Sequence, residues 1–337
     1  MRPYWYTALF LMTTVCGCQL DPCTSSQAGP GVHLECPMPG WVDRAYDLYI
    51  PQGWDGSSPL PLIVVFHGGG GNKRAALRTT CPGGDTKSPD CFAPLSTALG
   101  YAVVFPDGTG TRPLWNVRTW NAGGGTDGTT CVSGGACKSG VDDMAYLDDL
   151  LADVGEVIPI DPGHIHATGL SNGGAISHRW ACERPQIVAS IAPVGGTNQF
   201  AAVGGPCATS TPVLQIHGTE DPCWTYETSD QFCLDDDNHG VKTGVPESME
   251  GWRIRNNCDD QVTEELLPDL DPDDGARVTR VEWQQCESDT TLLRVEGGGH
   301  TWPGGYAYLD ASTIGPMCRD INASQLILEF FDAHPKN

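Results

Sequence analysis

Lysine is scarce: the chain has five among its 337 residues. Lysine and arginine together number 19 against 42 aspartates and glutamates, a formal net charge of −23. A surface of that sign repels nucleic acid and anionic membranes, so neither is expected as a partner. No CxxC pair occurs and no histidine stands at zinc-finger spacing, so no metal site is expected from those patterns. The acidic stretch "DLDPDDG" (269–275) fails the EF-hand pattern, because Asp274 stands where the turn glycine is required. It reads as solvated loop, as does "LDDDN" (234–238). No internal repeat and no second domain can be read. The apolar stretch near the start, "TALFLMTTV", is too short to span a bilayer.

That stretch, after Arg2, suits the apolar region of a secretory signal. Val15-Cys16-Gly17-Cys18 resembles a bacterial lipobox, with cleavage before Cys18 and lipid on its sulfur. Residues 1–17 are then a signal peptide, 18–31 a polar tether and 32–337 one folded domain. The expected location is secreted, periplasmic or cell-surface, with Cys18 the sole membrane attachment and the chain a monomer. Fifteen cysteines fit an exported, disulfide-bonded protein. Short spacings suggest Cys81–Cys91, Cys131–Cys137 and Cys223–Cys233 as loop staples, and Cys182–Cys207 and Cys258–Cys286 as longer pairs. Cys23, Cys36 and Cys318 remain, which leaves at least one thiol without an intramolecular partner.

Continuous apolar, β-branched runs such as "LPLIVVF" (60–66) and "YAVVFPDG" (101–108) read as strands buried on both faces. "AYDLYIP", "HIHATGL", "IVASIAPVGG", "TPVLQIHG" and "TLLRVEGGG" add further strands. "VDDMAYLDDLLADVGEV" has helical periodicity, "SNGGAISHRWACERP" reads as a helix that starts at the Ser and stops at Pro185, and "PESMEGWRIRNN" and "ASQLILEFFDAH" read as helices. Alternating strands and helices predict an α/β fold with a mostly parallel sheet covered on both faces. The glycine- and threonine-rich stretch 109–140 reads as a surface excursion.

The chemistry gathers at strand ends. "GLSNG" (169–173) matches G-x-S-x-G between a strand and a helix, the context of a nucleophile elbow. Glycines at 169 and 173 admit close backbone neighbours, and the turn lifts the Ser171 hydroxyl clear of the sheet. "HGGGG" (67–71) ends an earlier strand and matches an oxyanion loop. Amides near Gly68 and Gly69, with that of Asn172, are the expected donors to a developing oxyanion. Asp221 in "IHGTEDP" and His300 in "GGGHTWPGG" each follow a strand. Glu220 is a rival acid, set aside because Pro222 fixes the backbone beside Asp221. His67 and His217 read as loop-holding residues. Asp142 and Asp143 read as capping charges at a helix start. The order Ser171, Asp221, His300 is that of a hydrolase triad. His300 must reach over the sheet edge to the serine while its other nitrogen meets the acid, so it sits on a loop, and its glycines allow that loop an irregular path.

Together "HGGGG", "WNAG", "VDDMAYL", "ATGLSNGG", "IAPVGG", "IHGTEDP" and "GGGHTWPGG" resemble the esterases that include extracellular polyhydroxybutyrate depolymerases and feruloyl and acetylxylan esterases. The resemblance runs from about Val32 to Pro335. It implies an α/β-hydrolase fold with disulfide-stapled loops, Ser171 as nucleophile, Asp221 as acid, His300 as base and no cofactor. Its substrates would be esters on plant polysaccharide, or polyhydroxyalkanoate-type polyesters. Trp302, Trp120 and Asn121 are the candidate substrate platform. Two alternatives stand beside this reading. One is a serine peptidase on the same fold. The other is a non-catalytic glycan-binding surface lipoprotein.

Overall fold

The structure is a computed structural model that describes residue 23 and residues 29–110, 117–123, 134–228 and 241–336. Among these residues the strands are β1 (Gly31–Pro37), β2 (Ala45–Ile50), β3 (Leu60–Phe66), β4 (Ala102–Pro106), β5 (Thr109–Gly110), β6 (Arg118–Thr119), β7 (Ile160–Leu170), β8 (Ser190–Val194), β9 (Val213–Gly218), β10 (Val262–Leu266), β11 (Arg277–Trp283) and β12 (Thr290–Glu296). The helices are α1 (Lys73–Thr79), α2 (Phe92–Ala98), α3 (Gly134–Lys138), α4 (Asp143–Val157), α5 (Asn172–Glu183), α6 (Gln199–Ala202), α7 (Val245–Arg255), α8 (Ala311–Ile314) and α9 (Ala323–Ala333).

Ten strands form one sheet in the order β1-β2-β4-β3-β7-β8-β9-β12-β11-β10. The six central strands, β4 through β12, run parallel. Antiparallel pairs β2–β1 and β11–β10 close the two edges. This is the α/β-hydrolase fold expected from the motifs.

Alternate residues of β3 supply two separate cores, as a two-residue period requires. Leu62, Val64 and Phe66 pack with Leu147 and Leu150 of α4 and Ile176 and Trp180 of α5. Ile63 and Val65 pack with Phe92 of α2 and Ile327 and Phe331 of α9. Strands covered on both faces are mostly apolar, and β4, β8 and β9 are buried at every position, with Ser190, Gln215 and His217 as buried polar exceptions. The edge strand β10, "VTEEL", is exposed at every position. It has no apolar face to read, and its place comes from backbone pairing with β11.

Disulfides join Cys81–Cys91, Cys182–Cys207 and Cys258–Cys286, as spacing suggested. A fourth, Cys23–Cys36, ties the expected tether to β1, so Cys23 is held to the folded body. Among the described residues Cys318 is the free cysteine, and it is buried. Cys137 and Cys223 are also disulfide-bonded; the partners expected for them, Cys131 and Cys233, lie outside the described residues. So do the signal segment and Cys18. No helix among the described residues is long and apolar enough to cross a membrane.

Two expectations need correction. The 109–140 stretch is not simply a surface excursion, because Arg118 and Trp120 within it are buried. Asp143 is not a capping charge. Asp142 caps α4, accepting from the Ala145 amide at 3.0 Å. Asp143 is buried, pairs with Arg44 at 2.8 Å and accepts from the Asn121 amide at 2.6 Å.

Candidate active site

The parallel strands β7, β9 and β12 end on one edge of the sheet, and each is followed closely by a candidate residue. Ser171 directly follows β7 and stands at the N-cap of α5 with φ 62° and ψ −122°. An L-residue adopts such angles only when its surroundings impose them. The surroundings here are two glycines closed on one carbonyl. A Cβ on Gly169 or on Gly173 would lie 2.4 Å from Phe66 O, at the end of β3. No side chain fits at either position, so the tight turn between strand and helix depends on both.

Asp221 and His300 are both buried, and His300 Nδ1 lies 2.6 Å from Asp221 Oδ2. The other carboxylate oxygen, Oδ1, accepts from the amides of Cys223 at 2.8 Å and Trp224 at 2.7 Å. These two amides fix the orientation of the carboxylate. His300 is set against the elbow by two glycines after β8. A Cβ on Gly195 would lie 3.3 Å from His300 Nδ1, and one on Gly196 would lie 2.1 Å from Ser171 O.

The glycines around His300 owe their place to close approach as well as to irregular path. A Cβ on Gly299 would lie 2.2 Å from Ile314 O. The loop is tied down there: the Gly299 amide donates to Pro316 O at 2.8 Å and that of His300 to Ile314 O at 2.5 Å. Glycine lets the loop lie flat on a neighbouring backbone.

The "HGGGG" loop lies over the elbow. A Cβ on Gly68 would lie 3.5 Å from Ser171 Cβ, and one on Gly69 would lie 3.6 Å from Asn172 Cβ. His67 is the loop-holding residue expected. Its Nε2 accepts from the Gly108 amide at 2.9 Å, so Nδ1 carries the proton and donates to Gly68 O at 2.8 Å. Burial pulls the His67 pKa down to about 4, which keeps the ring neutral in that role.

The expected substrate platform does not form. Trp120 and Trp302 are fully buried. The Trp120 indole donates to His67 O at 3.0 Å and packs edge-on against Phe66. The Trp302 indole donates to Ser324 Oγ at 3.1 Å and packs edge-on against Phe92. Asn121 is buried and donates to Val141 O at 2.9 Å. A ring with both faces covered cannot stack on a ligand, so these residues brace the loops that carry the site.

The sequence offered no signal for two neighbours of Asp221. Lys242 is buried, and burial lowers its pKa to about 8 while the Asp221 charge opposes the fall. The pKa of the Tyr308 phenol, on a partly exposed side chain, is pushed up first by loss of hydration around it and then by the Asp221 charge.

No family model matches the chain. Among curated proteins it is 24% identical over 263 residues to feruloyl esterase D of Neurospora crassa, covering 76% of this chain and 73% of that one. It is 27% identical over 219 residues to feruloyl esterase C of Emericella nidulans, covering 63% of this chain and 69% of that one. Among solved structures, an acetyl xylan esterase from Aspergillus awamori superposes with a TM-score of 0.51 at 14% identity, covering 77% of this chain and 89% of that one. Sequence similarity places the chain with the carboxylic ester hydrolases, and the structural likeness is one of fold.

Proposed function

We propose that this chain is an exported serine esterase whose substrates are feruloyl or acetyl esters carried on plant polysaccharide. The observation that carries the mechanism is the 2.6 Å contact between His300 Nδ1 and Asp221 Oδ2, beside a strained serine elbow. Ser171 Oγ attacks the ester carbonyl, and His300 Nε2 takes its proton. The bond to Asp221 fixes the tautomer of His300 and stabilises the imidazolium that forms. Amides of Asn172 and of the Gly68–Gly69 segment hold the developing oxyanion. Each such donor is worth about 3–4 kcal/mol in the transition state. The tetrahedral intermediate collapses, and His300 protonates the leaving alkoxide. Water, deprotonated by the same histidine, then releases the acid from Ser171.

The substrate class rests on the feruloyl and acetyl xylan esterases among the relatives. Export rests on the four disulfides, which persist in oxidising compartments. Residues 1–17 as a lipoprotein signal, Cys18 as its lipid site and 32–337 as one catalytic domain belong to the same proposal.

Covalent labelling with a fluorophosphonate probe, mapped by peptide mass spectrometry, tests the nucleophile. Ser171 is the expected adduct, and no label on a folded protein rejects the mechanism. A panel of methyl ferulate, acetylated xylan, polyhydroxybutyrate and a peptide amide tests the substrate. Turnover of the first two is expected, and turnover of the peptide alone would point to a peptidase.

A further inference from the structure

Behind the acid lies a line of buried polar side chains that the proposed chemistry does not use. It starts at Trp252 on α7, whose indole nitrogen donates to His178 Nδ1 at 3.0 Å. His178 Nε2 lies 3.1 Å from Gln215 Oε1. Gln215 Nε2 lies 3.3 Å from His217 Nδ1 and donates to Gly196 O at 3.2 Å. His217 Nε2 lies 2.7 Å from Trp224 O and 3.5 Å from Asp221 Oδ2. His178, Gln215 and His217 are buried.

Every bond in this line has one allowed direction. An indole N–H can only donate, so His178 Nδ1 is the acceptor and Nε2 carries the proton. That proton requires the oxygen of Gln215 to face it. The carbonyl of Gly196 can only accept, which independently places the Gln215 NH2 on its far side. The NH2 then donates to His217 Nδ1, so His217 carries its proton on Nε2, facing Trp224 O. Two end groups of fixed polarity thus agree on one arrangement of two tautomers and one amide. Burial lowers the pKa of both histidines, that of His178 to about 3, consistent with neutral rings.

We propose that Gln215 is a positioning residue that ties the serine elbow to the acid–histidine pair. The inference rests on the triad reading above. One hydrogen of its amide holds Gly196, which lies directly on the Ser171 backbone. The other holds His217, which fixes the Trp224 peptide. The amide of Trp224 in turn holds Asp221 Oδ1 at 2.7 Å. Serine and acid come from loops after different strands, β7 and β9, and this side chain joins the two by hydrogen bonds on both sides. An error of one ångström between such groups costs about a hundredfold in rate.

The test has two parts. In the parent enzyme, long-range 1H–15N correlation of 15N-histidine-labelled protein at pH 7 should show His178 and His217 as neutral Nε2–H tautomers. His178→Asn and His217→Asn supply the assignments. A charged ring or an Nδ1–H form at either position overturns the proposal, with no variant needed. Gln215→Met then keeps shape and removes every bond. Its kcat on 4-nitrophenyl acetate should fall about tenfold to a hundredfold with KM within about twofold, and His217 should show mixed tautomers. Gln215→Met with parental kcat and a parental His217 signal also overturns it. Fluorophosphonate labelling of parental Ser171 reports the triad separately: absent labelling refutes the triad, whereas intact labelling beside an indifferent Gln215→Met refutes only the role of Gln215.

Discussion

Asn172 grips the backbone of Trp120 at both ends. Its Oδ1 accepts from the Trp120 amide at 2.6 Å and its Nδ2 donates to the Trp120 carbonyl at 3.1 Å. Trp120 in turn donates to His67 O at 3.0 Å. The residue after Ser171 therefore braces the loop on the opposite side of the proposed oxyanion site. Asn172→Ala leaves the buried Trp120 amide without its acceptor, at a cost of about 1–3 kcal/mol, while the Trp120 carbonyl keeps the Ala122 amide at 3.0 Å. Both thermal stability and kcat should fall, while Asn172→Asp, which keeps the acceptor and loses the donor, should fall between. Equal kcat in parent and Asn172→Ala would separate the clamp from catalysis.

Ser171 should be strained and indispensable at once. Ser171→Ala is expected to lose at least about a thousandfold in ester hydrolysis, as triad knockouts do. Ser171→Gly should be equally inactive but more stable by about 1 kcal/mol, because glycine occupies φ 62° without a Cβ clash. Denaturant unfolding of the two variants checks this. An active, folded Ser171→Ala enzyme would remove the serine from the mechanism.

Trp302 gives a third test. A substrate platform would make Trp302→Ala selective against bulky feruloyl esters. The buried ring, bonded to Ser324 at 3.1 Å, predicts otherwise. Feruloyl and acetyl esters should lose rate by the same factor, so the ratio of their kcat/KM values stays at the parental level. Stability should drop by about 3–5 kcal/mol, the usual cost of deleting a buried tryptophan.

Acid should destabilise the fold through buried histidines. Burial lowers His67 to about 4 and His166 and His178 to about 3, against an ordinary value of 6.5, and lowers His217 as well. The unfolded chain then binds protons that the folded chain refuses. Their stabilisation is complete above pH 6.5 and is lost as pH falls through 6.5 toward 3. Melting temperature should decline steadily over that window. A flat profile between pH 6.5 and 4 would mean that these rings are charged in the fold.

The disulfides should resist alkylation and Cys318 should resist it for another reason. The four close separations of 10 to 28 residues, for about 3 kcal/mol each in chain entropy. Without reductant, iodoacetamide should leave Cys318 unmodified in the folded protein and modify it in guanidinium. Labelling of Cys81, Cys91, Cys182 or Cys258 in unreduced protein would contradict the pairing.

How far the sequence alone determined this protein follows from what each signal depends on. The elbow was legible because "GLSNG" is local: strand, turn and helix lie within a few residues, and both glycines are required by one carbonyl, Phe66 O. The core strands were legible because burial on both faces makes most of their positions apolar. Asp221 was legible as one of two neighbouring candidate acids, and the structure puts it against His300. Three things needed the tertiary structure. Edge strands such as β10 hold their place through backbone bonds, which carry no side-chain pattern. The fate of Trp120 and Trp302 turned on what covers their rings, and a tryptophan on a binding face reads the same in sequence as one in a core. Gln215, His178 and Trp252 stand far apart along the chain, and only packing aligns their donors with acceptors. A hydrogen bond has a direction and a length, and those belong to positions in space.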